Sequence, residues 1–188
     1  MPEIEIVAYK DMTPKLEKQL KEYKLAELKE ALNDDIFLNE PNKTPQIYRL
    51  DSLSLTQIAE KVPQSLILLV TYNYWCVAST ELFDSIINMA DRNKVALILI
   101  STDDWSFKEK TQQYLTLKNY FTPSFMLDIE KYGCGLNFNQ KFLNFSKKMF
   151  PSIVLKQGLN TYILLDNNLK IISYGNITEL HAIKKFIR

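Results

Sequence analysis

The sequence predicts an α/β fold with a mixed central sheet flanked by helices. Two continuous apolar runs, at residues 66–72 and 94–101, have the pattern of strands that are buried on both faces. The first run is followed by a segment whose apolar residues recur at helical spacing, and a capping box that opens another helix follows the second. Alternation of this kind implies parallel strands joined by right-handed crossovers. Two more apolar runs, separated by the turn-forming residues 166–168, predict an antiparallel hairpin near the C-terminus.

The first 46 residues are predicted to form a helical extension that lies outside this fold. Thr13 and Pro14 suit a helix start, with a capping hydroxyl followed by proline at the first helical position. From there to about residue 33, leucines recur among lysines and glutamates, which is typical of an amphipathic helix. We expect this helix to pack on its own domain, and a partner-binding helix is the alternative. A linker at residues 39–45 then leads to the domain predicted for residues 47–188.

Two short motifs predict where helices begin within that domain. After a short strand at residues 47–50, residues 54–57 match a capping box with Ser54 as the N-cap. Pro63 is expected to stop this helix. A second capping box, at residues 106–109, is expected to open the helix that follows the second buried strand.

The remaining predicted elements follow in the order strand, loop, helix, two hairpin strands and a last helix. They are residues 124–128, 132–135, 137–150, 161–166, 169–174 and 178–187.

Composition argues against several classes of function. The 188 residues and a hydrophobic fraction of 46% suit one globular core, and a net charge of +1 gives no indication of a nucleic-acid partner. Only 4 glycines are present and neither common phosphate-loop motif occurs. The single histidine, His181, argues against a histidine metal cluster, so we expect neither a metal nor another cofactor.

The sequence predicts neither a targeting segment nor a membrane span. Residues 1–6 carry acids and lack a long apolar core, so no signal peptide is expected. No run approaches the ~20 apolar residues that a spanning helix needs. We therefore expect a soluble chain. Two cysteines do not define a redox compartment, which leaves the localisation open.

Cys76 lies where the first buried strand gives way to a helix. Unpaired N–H groups and the positive end of the helix dipole stabilise a thiolate at such a position, and the thiolate is the reactive form of cysteine. A lone cysteine is otherwise a small buried hydrophobe, so both interpretations stand. The other cysteine, Cys134, lies between two glycines of a predicted loop. It is a candidate second thiol, although we expect it to be incidental.

The residues around Cys76 resemble those of the thioredoxin-like superfamily. Residues 75–79, Trp-Cys-Val-Ala-Ser, resemble its W-C-x-x-C signature. Three more stretches resemble the TlpA/ResA-like thiol–disulfide oxidoreductases in order and spacing: residues 51–55, residues 95–104 and residues 161–171. The resemblance covers residues 47–188 and implies a thioredoxin-like fold.

The resemblance also implies a dithiol mechanism, which this chain carries only in part. Cys76 matches the attacking thiol and Trp75 its aromatic neighbour. Ser79 replaces the resolving cysteine, and a hydroxyl is not acidic enough to break a mixed disulfide. Asn160 replaces the cis-proline that faces the cysteine, and we expect a trans bond or an otherwise reshaped backbone there, because a cis bond would cost ~2.5–4 kcal/mol. Leu82 stands where many relatives have a glutamate.

Two functions are consistent with this pattern. The first is a monothiol thiol–disulfide oxidoreductase in which Cys76 forms a mixed disulfide, Ser79 hydrogen-bonds its thiolate and an external thiol releases it. Its partner would be a protein that bears a thiol or disulfide, or a low-molecular-weight thiol. The alternative is a redox-inactive binding module that holds a peptide or protein in the groove around Tyr74, Trp75 and Asn160.

Overall fold

The computed structural model describes residues 45–132, 138–179, 181 and 186 of the chain. The predicted N-terminal helix, nearly all of the linker and Cys134 lie outside the described residues, as does most of the predicted last helix. The division into residues 1–46 and 47–188 therefore stays a prediction.

One mixed sheet forms the centre of the described fold. Its strands lie in the order β1-β4-β3-β2-β5-β6. Neighbours among the first four strands of this order are parallel, whereas β5 runs antiparallel to both β2 and β6. The predicted combination of parallel strands and a C-terminal hairpin is confirmed. The strands are β1 Ile47–Leu50, β2 Leu66–Tyr72, β3 Ala96–Ser101, β4 Ser124–Leu127, β5 Thr161–Asp166 and β6 Ile171–Asn176.

Helices connect the strands and pack against the sheet. The long helix that follows β2 begins directly after Cys76, as the sequence predicts. A short helix ending at Tyr132 stands where the sequence predicts the start of a loop. The helices of the described residues are α1 Ser52–Lys61, α2 Val77–Arg92, α3 Lys108–Leu117, α4 Ile129–Tyr132 and α5 Phe138–Met149.

The strand that leads to Cys76 contributes to a hydrophobic core on each side of the sheet. Ile67 and Leu69 of β2 belong to one buried cluster, and Leu68 and Val70 belong to the other. Successive side chains of a strand point to opposite faces, which explains this alternation. All four side chains are fully buried, and burial of each contributes about 1.5–3 kcal/mol. β2 is therefore a firmly held support for the turn that follows it.

The first helix of the domain begins earlier than its capping box predicts. Asp51, and not Ser54, is the N-cap, because its carboxylate accepts the backbone N–H and the hydroxyl of Ser54, each at 2.7 Å. Lys131 also donates to this carboxylate. Burial raises the pKa of Asp51, but the hydrogen bonds from Lys131 and Ser54 outweigh burial and hold it below its ordinary value.

The second predicted helix start is also displaced. Residues Trp105–Phe107 form a short 3-10 helix, and α3 begins only at Lys108. The backbone N–H of Phe107 donates to the carbonyl of Asp104 at 2.8 Å, a tighter turn than an α-helix makes. The capping box predicted at residues 106–109 is therefore wrong.

The turn between β5 and β6 is longer than predicted. The side-chain oxygen Oδ1 of Asp166 accepts the backbone N–H groups of Asn168 and Lys170, at 2.9 and 2.8 Å. Leu169 has a φ of 60°, in the left-handed region. The turn therefore uses the residues up to Lys170, and the second hairpin strand begins at Ile171 instead of at residue 169.

Candidate active site

Cys76 occupies the N-cap position of α2, at the end of the turn that leaves β2. Its φ of −87° and ψ of 115° are extended, and its carbonyl accepts the N–H of Thr80 at 3.0 Å as the first bond of the helix. Its own N–H donates to the carbonyl of Asn73 at 3.2 Å. The side chain is partly exposed and its thiol is free. Cys76 therefore lies at the N-terminus of a helix, as the sequence predicts, and a thiolate is stabilised at such a position.

The side chains of Cys76, Ser79 and Asn160 meet, although Asn160 comes from the far end of the domain. The amide nitrogen Nδ2 of Asn160 lies 3.4 Å from the Cys76 sulfur Sγ, and its oxygen Oδ1 lies 3.7 Å from the same sulfur. The hydroxyl of Ser79 donates to that Oδ1 at 2.5 Å. One amide therefore offers an acceptor to the neutral thiol and a donor to the thiolate.

These contacts change the acidity of the Cys76 thiol. Partial burial raises its pKa, because it disfavours the charged form. The hydrogen bond from Asn160, followed by those from Ser79 and from the backbone N–H of Ala78, outweighs burial, so the pKa lies below its ordinary value. In the structure the hydroxyl of Ser79 donates to Asn160. A direct hydrogen bond from this hydroxyl to the Cys76 thiolate stays a prediction.

The backbone of Asn160 differs from that of a residue in a cis-proline turn. Its φ is 51°, in the left-handed region, where asparagine is one of the few residues that sit with little strain. No cis peptide bond occurs in the described parts of the chain, as expected for the bond before this residue. The carbonyl of Asn160 accepts the N–H of Ile177 at 2.8 Å. The β6 end of the sheet therefore holds the loop that presents the amide.

The two predicted aromatic site residues have different surroundings. Trp75 is 43% exposed, and its indole Nε1 donates to the Oδ1 atom of Asp103 at 2.8 Å. Tyr74 is half-buried, with its ring centroid 6.3 Å from that of Phe107. Burial, together with the charge of Asp103, raises the pKa of Tyr74 to about 12. Trp75 therefore offers an accessible surface beside Cys76, whereas Tyr74 packs against Phe107.

Sequence reasoning did not identify two residues beneath this turn as part of the site. Asn73 and Asp103 are almost fully buried, and the amide of Asn73 donates to the Oδ1 atom of Asp103 at 2.9 Å. Ser101 donates its hydroxyl to the other carboxylate oxygen at 2.8 Å. Asn73 directly follows β2, and Asp103 is the second residue after the neighbouring parallel strand β3. Polar residues at the carboxyl ends of adjacent parallel strands were the available signal, because those ends meet at one edge of the sheet.

Asp103 is a buried acidic group that accepts hydrogen bonds from Asn73 and Trp75. Burial raises its pKa, and the hydrogen bonds from Trp75, Asn73 and Ser101 together with the charge of Lys141 only partly offset that effect. Its neighbour Asp104 is fully buried and pairs with the buried ammonium group of Lys141.

The structure also has a concavity whose lining does not include Cys76. It has a volume of about 480 Å³ between one face of α2 and the residues that follow β6, and its lining includes Met89, Arg92 and His181. Its lining contains none of the predicted site residues. Within residues 45–132 and 138–179, no three potential metal-ligand side chains cluster.

The sheet order and the position of Cys76 define the fold as thioredoxin-like, as the sequence resemblance predicts. No known protein family and no curated protein matches the chain. Among solved structures, the chain is similar to a thioredoxin-like protein in its oxidized form, with 9% identity and a TM-score of 0.47 over 69% of this chain and 82% of that one.

Two further solved structures are similar to the chain. A thio-disulfide isomerase from Thermus thermophilus has 14% identity and a TM-score of 0.42 over 68% of this chain and 82% of its own. A thiol-disulfide oxidoreductase from Bacteroides fragilis has 17% identity and a TM-score of 0.39 over 64% and 80%. No helix in the described residues is long and apolar enough to cross a membrane.

Proposed function

We propose that the protein is a thiol–disulfide oxidoreductase that acts as a monothiol through Cys76. One observation carries this proposal: the side-chain amide of Asn160 lies 3.4 Å from the Cys76 sulfur, with its oxygen held by Ser79. An amide donor at this distance stabilises a thiolate, and the N-terminus of α2 adds to that effect. The Cys76 side chain is partly exposed and its pKa is lowered, and both properties are typical of a reactive thiol.

The proposed first step is a thiol–disulfide exchange. The Cys76 thiolate attacks one sulfur of a substrate disulfide, a new S–S bond forms, and the old S–S bond breaks. The electron pair of the broken bond leaves with the second substrate sulfur as a thiolate, which takes a proton from water. The step exchanges one disulfide for another and needs no other oxidant or reductant. Its product is a mixed disulfide between Cys76 and the substrate.

The proposed second step uses an external thiol. Ser79 occupies the position from which a second cysteine would attack, and an alcohol is too weak an acid to replace it. The thiolate of a low-molecular-weight thiol attacks the sulfur bonded to Cys76, so the mixed disulfide breaks and the Cys76 thiolate leaves. The product is a disulfide between that thiol and the substrate sulfur.

Disulfide-bearing proteins or peptides are the substrate class that we propose. Trp75 and Val77, on either side of Cys76, are 43% and 67% exposed. Exposed apolar side chains beside a reactive sulfur suit a substrate that contributes apolar contacts of its own. A small disulfide such as glutathione disulfide is the simplest probe of the sulfur chemistry.

A pair of single-cysteine variants tests the chemistry. C134S retains only Cys76, and C76S retains only Cys134. With glutathione disulfide, C134S should gain one glutathione by intact mass and should lose it when reduced glutathione is added. C76S should gain none at a comparable rate. Failure of C134S to react with iodoacetamide at pH 7 would exclude the proposed mechanism.

The second candidate function is a binding module without redox chemistry. The exposure of Trp75 and Val77 favours it as well, since an apolar patch binds a partner whether or not the sulfur reacts. The two candidates differ in how binding depends on the thiol. If C76S binds a peptide ligand as tightly as the wild type does while W75A loses it, the binding function is favoured.

A further inference from the structure

The backbone of Asn73 contacts two residues of the turn that carries the cysteine, Cys76 and Ser79. Asn73 is fully buried, and its backbone carbonyl accepts the N–H of Cys76 at 3.2 Å. Its backbone N–H points to the hydroxyl oxygen of Ser79 at 3.4 Å. The backbone of one residue thus contacts both the proposed nucleophile and the residue that orients Asn160.

The side chain of Asn73 is held from two sides by the end of β3. Its amide nitrogen donates to Asp103 at 2.9 Å, and its amide oxygen accepts the hydroxyl of Thr102 at 3.0 Å. The backbone N–H of Thr102 donates to the carbonyl of Tyr72 at 3.3 Å, which extends the pairing of β2 and β3 past the strands. Both ends of the Asn73 amide are therefore satisfied by one neighbouring segment.

Asp103 links the buried Asn73 to the exposed Trp75. The same carboxylate oxygen that accepts the amide of Asn73 accepts the indole N–H of Trp75 at 2.8 Å. A buried polar group without a hydrogen-bond partner is costly, so each partner strongly favours the conformation in which all are bonded.

We propose that Asn73 and Asp103 are positioning residues for Cys76: a buried pair that fixes the turn bearing Trp75, Cys76 and Ser79. Neither residue contacts the sulfur. Their effect is to hold the helix N-terminus and the Ser79 hydroxyl where they stabilise the thiolate. This proposal rests on the proposed function, because that function makes Cys76 the reacting group.

The experiment measures the thiol itself, without a substrate. The rate of iodoacetamide alkylation is followed against pH in the C134S background, where Cys76 is the only thiol. The rate follows the thiolate fraction, so each unit of increase in the pKa slows alkylation about tenfold at a pH below that pKa. Failure of turnover with glutathione disulfide would count against the proposed function and leave this measurement intact.

Three variants separate geometry from charge. D103N keeps the acceptor oxygen for Asn73 and Trp75, removes the charge and replaces the oxygen that accepts from Ser101 with an NH2 group. Because the bonds to the turn are kept, its alkylation profile should stay within about twofold of the C134S parent. N73A removes the amide and leaves the backbone, and D103L removes the shared acceptor. Both N73A and D103L should alkylate about three- to tenfold more slowly near neutral pH, as the thiol pKa rises.

A remote destabilising variant is the control. S54A removes a buried hydrogen bond at the start of α1 and should lower the melting temperature without changing the alkylation profile. The proposal is overturned if N73A lowers the melting temperature as S54A does and leaves the profile unchanged. It is also overturned if D103N shifts the profile as far as D103L does. N73A decides the question even if D103L does not fold.

Discussion

The hydroxyl of Ser79 donates to the side-chain oxygen of Asn160 at 2.5 Å, across 81 positions of sequence. Because that bond fixes the amide oxygen towards Ser79, the amide nitrogen is left to face the sulfur of Cys76. Ser79, which stands where the resemblance places a resolving cysteine, therefore holds the amide that faces the Cys76 sulfur.

Ser79→Cys should allow an internal disulfide between positions 76 and 79. Its sulfur would replace a buried hydroxyl one helical turn after Cys76, at the W-C-x-x-C spacing. In a C134S background, mild oxidation should protect both thiols from alkylation and lower the intact mass by two hydrogens. The S79A variant, with one thiol, is the control and should form no internal disulfide. Two free thiols in oxidised S79C would contradict the geometry.

Asn160→Gly should isolate the contribution of the amide. Glycine adopts the left-handed φ of 51° without strain, so the backbone is retained while the donor to sulfur is lost. The pKa of Cys76 should rise towards its ordinary value, and alkylation near neutral pH should slow about three- to tenfold.

The companion variant N160D tests the role of the donor further. A carboxylate near the sulfur repels a thiolate, so the thiol pKa should rise above that of N160G. The pH profile of alkylation measures both variants. An N160G profile identical to that of the parent would show that the amide does not act on the thiol.

The pH dependence of stability should carry a contribution from Cys76. Its pKa in the folded state is lower than in the unfolded chain, so ionisation favours the folded state. This contribution is present above the unfolded pKa of an ordinary cysteine and is lost as the pH falls through the lower folded value. The free energy of unfolding of the wild type minus that of C76S should therefore increase with pH across this window.

Urea unfolding at a series of pH values measures that difference. The C134S variant serves as the matched comparison, because it keeps Cys76 and should follow the wild type. A difference that stays constant, or that decreases with rising pH, would contradict the lowered pKa.

Gly158→Ala should disturb the loop that delivers Asn160. A β-carbon at this position would lie 2.9 Å from the β-carbon of Phe142 and closer still to the backbone carbonyl of Asn139. The side chain of Asn139 also accepts the N–H groups of Gly158 and Leu159. Overpacking of this kind costs about 1–3 kcal/mol, and the melting temperature should fall accordingly.

The rate of Cys76 alkylation in G158A tests whether that loop positions the amide of Asn160. If the loop shifts, the amide of Asn160 moves away from the sulfur and Cys76 should alkylate more slowly than in the parent at neutral pH. S54A, with a lost hydrogen bond elsewhere, is the control. A lower melting temperature with unchanged alkylation would mean that the amide keeps its place.

The parts of the fold that depend on local pattern were predictable from the sequence. β2 was evident because a strand that is buried on both faces has a continuous apolar run. The position of Cys76 followed because that run gives way to apolar residues at helical spacing. The start of α1 was missed because Asp51 and Ser54 are both good capping residues. Only the observed bond from the Ser54 N–H to Asp51 decides between them.

The polar network beneath the cysteine was not predictable in the same way. Asn73 and Asp103 are 30 residues apart, and their contact depends on the register of β2 against β3. No local pattern carries that register. The resemblance did identify Asn160 as the residue that faces Cys76, because it supplied a known spacing from the hairpin.

The two halves of the thiol site are made at different times as the chain is synthesised. Cys76 precedes Asn160 by 84 residues, and the amide reaches the sulfur only when β5 has paired with β2. A ribosome-bound chain that ends before β5 has the cysteine and its helix but lacks the amide. Its sulfur would titrate closer to an ordinary cysteine, so the lowered pKa arises only once β5 has paired with β2.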